Sequence, residues 1–234
     1  MAQGGNISNR IGDLIGTNFS TDAAYSGDMI NAAVNEIADT ISEDLLLKYS
    51  PTPTNVTSAS GVSIENKKIL RVIRVDANSP NGIDRECKFL DETEYSSAAD
   101  SGSIYQATKY SPVYTIYTQT AASEVLIHPV CNSSGQVGRI WYFPYVTSTS
   151  PDVDITDLTE GTLNTAVFLP NNLIHALALK SSINILGAYI SNQVQDEEDE
   201  EMLRMVQAQK QGLEKAYQEE ISRFMDEAGK PGGE

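Results

Sequence analysis

The chain carries two histidines, and one of them, His128, lies three residues before Cys131, one of only two cysteines. Imidazole and thiolate at that spacing are zinc ligands, but a closed tetrahedral shell needs four such groups, and no second Cys or His pair completes one. His128 is therefore expected to be a satisfied strand histidine, and His175, inside an apolar helix, a core histidine. The run Asp196, Glu197, Glu198, Asp199, Glu200 and Glu201 offers oxygens to calcium. It lacks the alternation and the central glycine with which a loop wraps its ligands around the ion. Carboxylates opening a helix, where the dipole favours them, are the simpler reading. An acid pair such as Asp91 and Glu94 is what hydrolysis would have to use. The sequence holds no Gly-x-Ser-x-Gly elbow, Walker loop, His-Glu-x-x-His helix or dinucleotide fingerprint. These residues support no catalytic site, no metal and no cofactor, so the expectation is a protein that is not an enzyme.

The elements around them are clearer. A helix from Leu173 to Ile190 opens at Leu169-Pro170-Asn171-Asn172, proline suiting the first turn and asparagine a cap. It is apolar on nearly every face and must be largely covered. A second helix follows, with Leu203, Val206, Leu213, Tyr217, Ile221 and Phe224 close to a three-and-four repeat and Met225 beside them. Its narrow seam meets either this protein's own helices, the commoner arrangement, or another subunit. An earlier helix, Ser26 to Lys48, has an i, i+4 stripe through Met29, Ile30, Ala33, Val34, Ile37, Ala38, Ile41, Leu45 and Leu46, and ends before Pro51.

The middle reads as strands: Lys67 to Asp76, Pro112 to Thr118, and Val125 to Val130. Turn chemistry at Ser79-Pro80-Asn81-Gly82 and at Asn132-Ser133-Ser134-Gly135 separates them, the second predicting a hairpin of Val125-Leu126-Ile127 with Gly138 to Phe143. Asp91 to Tyr95 is expected to make one helical turn. In the aromatic cluster Trp141, Tyr142, Phe143 and Tyr145, alternate members point to opposite faces. One set is expected to fill the core and the other to anchor an interface. The predicted fold is α+β: a helical bundle from residues 21–50 and 166–228, with an antiparallel β-rich insertion at 51–150. A flexible arm (1–20), a connector loop (151–165) and a tail (229–234) complete it.

At 234 residues and a formal net charge of −16, the chain is strongly acidic. That argues against tight nucleic-acid binding, which needs Lys and Arg to displace counterions. The polar N-terminus has no signal-peptide run, and Lys180 and His175 interrupt the longest apolar stretch, so a protein made in a cytoplasm with reduced thiols is expected. The acid is either a solvated face that aids solubility or a surface that repels DNA.

The helix Ser26 to Lys48, the strand with Ile-Leu-Arg-Val-Ile-Arg-Val, the segment Ile140-Trp141-Tyr142-Phe143-Pro144, and Phe168-Leu169-Pro170 leading into paired helices resemble the head-to-tail connector adaptors of tailed bacteriophages, from about Tyr25 to Phe224. The resemblance rests on element order, with no chemical motif. It implies a structural virion protein at the neck below the capsid vertex. Copies would form a ring, typically of twelve, between the portal protein and a downstream tail, nozzle or stopper protein, and DNA would pass through without specific binding and without a membrane. On that view Leu203, Val206, Leu213, Tyr217, Ile221, Phe224 and Met225 bind the portal, and Asp196 to Glu201 face the lumen. Trp141, Phe143 and Tyr145 meet the tail side. Deleting residues after Glu220 should then abolish attachment and leave a folded monomer. Another tail, stopper or head-completion protein is the alternative.

Overall fold

The computed structural model describes residues 6–16, 23–77, 83–118, 123–132, 135–147, 158–193 and 200–228. The chain is an α+β protein and divides into two compact units: Met1–Tyr49 with Tyr145–Glu234, and Ser50–Pro144.

The first unit is helical. Its helices are α1 (Ile7–Ile15), α2 (Ala23–Thr40), α3 (Glu43–Leu47), α5 (Leu163–Ala166), α6 (Ile174–Gln193) and α7 (Glu200–Ala228), and a 3-10 turn, Asn171–Leu173, leads into α6. Helix α6 is the axis, with α1, α2 and α7 packed against it. Ala176, Leu177, Ala178, Leu179, Ser181, Ser182, Ile183, Ile185 and Leu186 are buried along it. By length and apolar composition it could cross a membrane, but 61% of its apolar window lies inside the protein. Covering so wide a surface takes more than one neighbour.

Several elements differ from the sequence reading. Part of the supposed N-terminal arm is α1. Asn6 caps it, its side chain accepting from the Asn9 N–H at 3.1 Å, and Ile7, Ile11 and Ile15 form an i, i+4 stripe that is fully buried. The predicted helix Ser26 to Lys48 starts earlier, at Ala23, and breaks after Thr40. There Ser42 takes an extended conformation (ψ 144°) and α3 begins afresh. Asn171 does not cap its own helix, because its Oδ1 accepts from the Asn164 N–H at 2.9 Å. The chain returning at Val146 is held to α2 by a reciprocal pair with Asn35, 2.8 and 2.9 Å.

The second unit is two four-stranded sheets. Its strands are β1 (Thr54–Val56), β2 (Val62–Ser63), β3 (Lys67–Asp76), β4 (Ile83–Glu86), β5 (Lys88–Phe89), β6 (Val113–Thr118), β7 (Ser123–His128) and β8 (Gln136–Pro144), with helix α4 (Glu92–Ala99) after β5. The orders are β1-β8-β3-β4 and β2-β7-β6-β5, antiparallel except for β5 with β6. The hairpin predicted across Asn132 to Gly135 does not form. β7 pairs with β6, and β8 with β1 and β3, so this connection carries the chain from one sheet to the other. The turn is real, with Gly135 at φ 91° and Asn132 bridged to Gln136, but turn chemistry reverses the chain without choosing its strand partner. The Ser79 to Gly82 turn lies outside the described residues. Where one helical turn was expected, α4 makes two, with Asp91 accepting from the Glu94 N–H at 2.8 Å.

Val56, Val72 and Ile140 from one sheet meet Val125 and Ile127 from the other, with Ile64, Cys87 and Cys131 closing the core. The sheets come closest at Gly138. A Cβ there would lie 2.4 Å from Ile127 Cδ1 and 3.0 Å from Val56 Cβ, so only glycine fits without movement. Gly138→Ala should therefore cost about 1–3 kcal/mol in urea unfolding, as overpacked cores do. An unchanged midpoint would mean that the sheets have room to spare.

Candidate functional site

The histidine and cysteines gather around Arg74. This side chain is only 3% exposed on the inward face of β3; its Nε donates to the Pro129 carbonyl at 2.9 Å and an Nη donates to Gln136 Oε1 at 3.1 Å. Its other Nη is 3.9 Å from the equally buried Asp76. Burying one of these charges without the other would be costly, so the pair belongs to the fold. Cys87 and Cys131 are both free and buried. Burial, reinforced by Cys131, pushes the Cys87 thiol up to about 12, and burial raises Cys131 as well. Such thiols are protonated and unreactive at neutral pH. His128 ends β7 half-buried, edge-on to Tyr95 at 6.3 Å, and burial followed by the Arg74 charge lowers its pKa. Among the described residues, no group of three or more His, Cys, Asp and Glu is placed to hold a metal ion. His175 is not a core histidine, since it is exposed on the first turn of α6. Asp91 is occupied in capping α4.

The seam of α7 turns inward. Val206, Tyr217, Ile221 and Phe224 are buried, and Leu203, Leu213 and Met225 are partly buried, on the helix that packs against α6. Lys180 on α6 ties the helices together, ion-paired to Glu36 of α2 and lying 5.6 Å over the Tyr217 ring. Gln209 donates to the Leu14 carbonyl of α1 at 2.9 Å, and the Tyr189 hydroxyl donates to Met202 Sδ at 3.1 Å. Four of the seven residues expected to bind a portal, Val206, Tyr217, Ile221 and Phe224, therefore serve this chain's own bundle, because an apolar stripe is covered by the nearest apolar surface, and Leu203, Leu213 and Met225 keep part of their surface exposed. Cutting the chain after Glu220 would remove Ile221 and Phe224 from the core, and the expected folded monomer does not follow. What α7 leaves outside is a polar face with Met202 and Met205, 44% and 69% exposed.

The other predicted positions divide as well. Asp196, Glu197, Glu198 and Asp199 lie outside the described residues. Glu200 and Glu201 are exposed in the first turn of α7, Glu200 being 3.2 Å from Arg204. Phe143 is fully buried and so is not a surface anchor. Tyr145 is half-buried, its hydroxyl donating to Asp39 Oδ1 at 2.7 Å; burial, then that carboxylate, raises it to about 12. Trp141, partly buried, is directly opposite Arg71 across the β3–β8 pair.

Two features escaped the sequence reading. One is a set of exposed apolar side chains on the β unit: Phe89, Ile104, Tyr105 and Tyr110, from 51% to 91% exposed. The other is how fully the uneven acid along the sequence sorts between the two units. Residues 50–144 hold eight Lys and Arg against nine Asp and Glu, a formal net −1, whereas the helical unit holds the other eight against twenty-three, a net −15. The same count follows from the β-rich segment 51–150 read in the sequence, where the uneven acid went unused as a difference between units.

Comparison with family models, with characterised proteins and with solved structures gave no match for this chain.

The raised groups set the alkaline behaviour. A folded pKa near 12 against ordinary values of 9 for Cys87 and 10 for Tyr145 means that the fold holds these protons more tightly than the unfolded chain. Their contribution is whole below pH 9 and 10 and is lost as pH rises toward 12. The melting temperature should fall across that window, and Tyr145→Phe should flatten its upper part at some cost at neutral pH. In the native protein at pH 8 a thiol reagent should label neither cysteine, and in denaturant both; rapid native labelling would contradict the burial argument.

Proposed function

We propose that this chain is a structural component of a tailed-bacteriophage particle, a head-to-tail adaptor whose copies ring the passage between portal and tail. The observation that carries the reading is the concentration of −15 formal charge on the helical unit while the β unit stays near neutral. A ring that lines its bore with such helices repels phosphates within a screening length of about 10 Å, so DNA slides through without adhering. The resemblance in element order and a 29-residue helix with one face outside the bundle are in keeping with this role. The portal would meet that outer face, around Met202 and Met205, since the inner seam is already covered.

The test is to mix the purified chain with rings of its cognate portal protein and image the product by electron microscopy. A symmetric collar of this chain on the portal is the expected result, and Met205→Asp, at an exposed position, should abolish it while the variant melts like wild type. A portal that stays bare, or a chain that catalyses turnover of a substrate, would refute the proposal.

A further inference from the structure

Within the helical unit the acid far outnumbers the cations it could meet. Six of the eight cations are each already beside a carboxylate: four pairs lie within α7, and the others join Arg10 to Glu160 and Lys180 to Glu36. Of the unit's twenty-three acids, seventeen are left over, against two further lysines, Lys48 and Lys230. The pairs themselves hold little energy, since Arg204 with Glu200 and Lys215 with Glu219 are at least 71% exposed on both sides. The β unit is the opposite case: its charges nearly balance, and its Arg74–Asp76 pair is buried, where salt screens least. Each unit also has a core of its own, one around α6 and one between the two sheets. The chain passes between the units only at Tyr49–Ser50 and Pro144–Tyr145, and Thr54 pairs with Ile140 near the two ends of the β unit. A unit with its own core and adjacent ends can open separately from the rest.

We infer that the helical unit is an ionic-strength-sensitive device: counter-charge tightens it and low salt loosens it, while the β unit stays folded through both. A compact body of large net charge is strained by its own repulsion, and screening relieves that strain. At about 10 mM salt each charge acts over about 30 Å, so the surplus carboxylates repel across the bundle; at about 1 M the range is about 3 Å and the repulsion is gone. Screening weakens the attractive pairs too. They are few, exposed and outnumbered by the surplus acid, so the relief of repulsion decides the sign. The inference concerns the chain by itself and does not rest on the adaptor reading.

Urea, an uncharged denaturant, tests this on the full chain with two probes. Trp141 is the sole tryptophan and reports the β unit by fluorescence. Far-ultraviolet circular dichroism reports chiefly the helical unit, because α4, the helix of the β unit among the described residues, has eight residues. The two transitions should not coincide at low salt. Raising sodium chloride from about 10 mM to about 1 M should move the dichroism midpoint upward, with a gain of about tenfold or more in the folded-to-unfolded ratio at fixed urea, while the Trp141 midpoint moves much less. Asp28→Lys, at an exposed position past the first turn of α2, should shrink that response. Lysine also suits a helix better than aspartate, so the readout is the salt dependence and not the midpoint itself. Transitions that coincide at every salt, midpoints that rise together, a dichroism midpoint that falls with salt, or a salt response untouched by Asp28→Lys would each overturn the inference.

Discussion

An apolar helix with hardly any polar face has to be covered, and the helical unit is organised around that requirement. From Ile174 to Leu186, α6 buries side chains in almost every direction, so α1, α2 and α7 are each laid along it. The seam of α7 is consumed in meeting this demand, which is why its regular apolar repeat is not a docking strip. Ile7, Ile11 and Ile15 are ordered for the same reason, since a nine-residue helix is marginal alone and gains its stability from the surface it covers. Lys180, near the middle of α6, avoids an unpaired buried charge by reaching Glu36 and the Tyr217 ring.

The β unit solves a smaller version of the problem by packing its two sheets on each other. Gly138 allows the close approach, and Val56, Val72, Ile140, Val125 and Ile127 fill the space between. Arg74 and Asp76 are the exception, a charged pair on an inward face, held by Pro129 and Gln136. The same network fixes the connection that takes the chain from β7 to β8. Burial of Cys87 and Cys131 themselves suppresses thiolate chemistry, outweighing the opposing pull of the Arg74 charge.

Long-period patterns were legible in the sequence and pairing was not. The apolar stripes of α2, α6 and α7 could be read because helical spacing repeats over many residues, and the α+β class followed from them. The break at Ser42 was missed because Leu45 and Leu46 continue the stripe across it. The false hairpin at Asn132 to Gly135 shows that local chemistry sets a reversal, while the strand that receives the chain is decided by the sandwich core. At the candidate site, the periodicity of Val206, Tyr217, Ile221 and Phe224 announced a contact without naming the partner, and the structure supplies it within the chain. The uneven placement of acid was legible in the sequence, and the division at Ser50 and Pro144 turns it into a near-neutral β unit and a strongly acidic helical unit.

The premise that the helical unit is complete in itself leaves only the polar face of α7, with the acid it carries, free of the bundle. That premise is open to one direct measurement, amide hydrogen exchange of the isolated full-length chain. Amides of α7 from Val206 to Phe224 should be protected to nearly the same degree as those of α6. Exchange of that segment at unstructured rates, with α6 still protected, would contradict the account and return the seam to the surface.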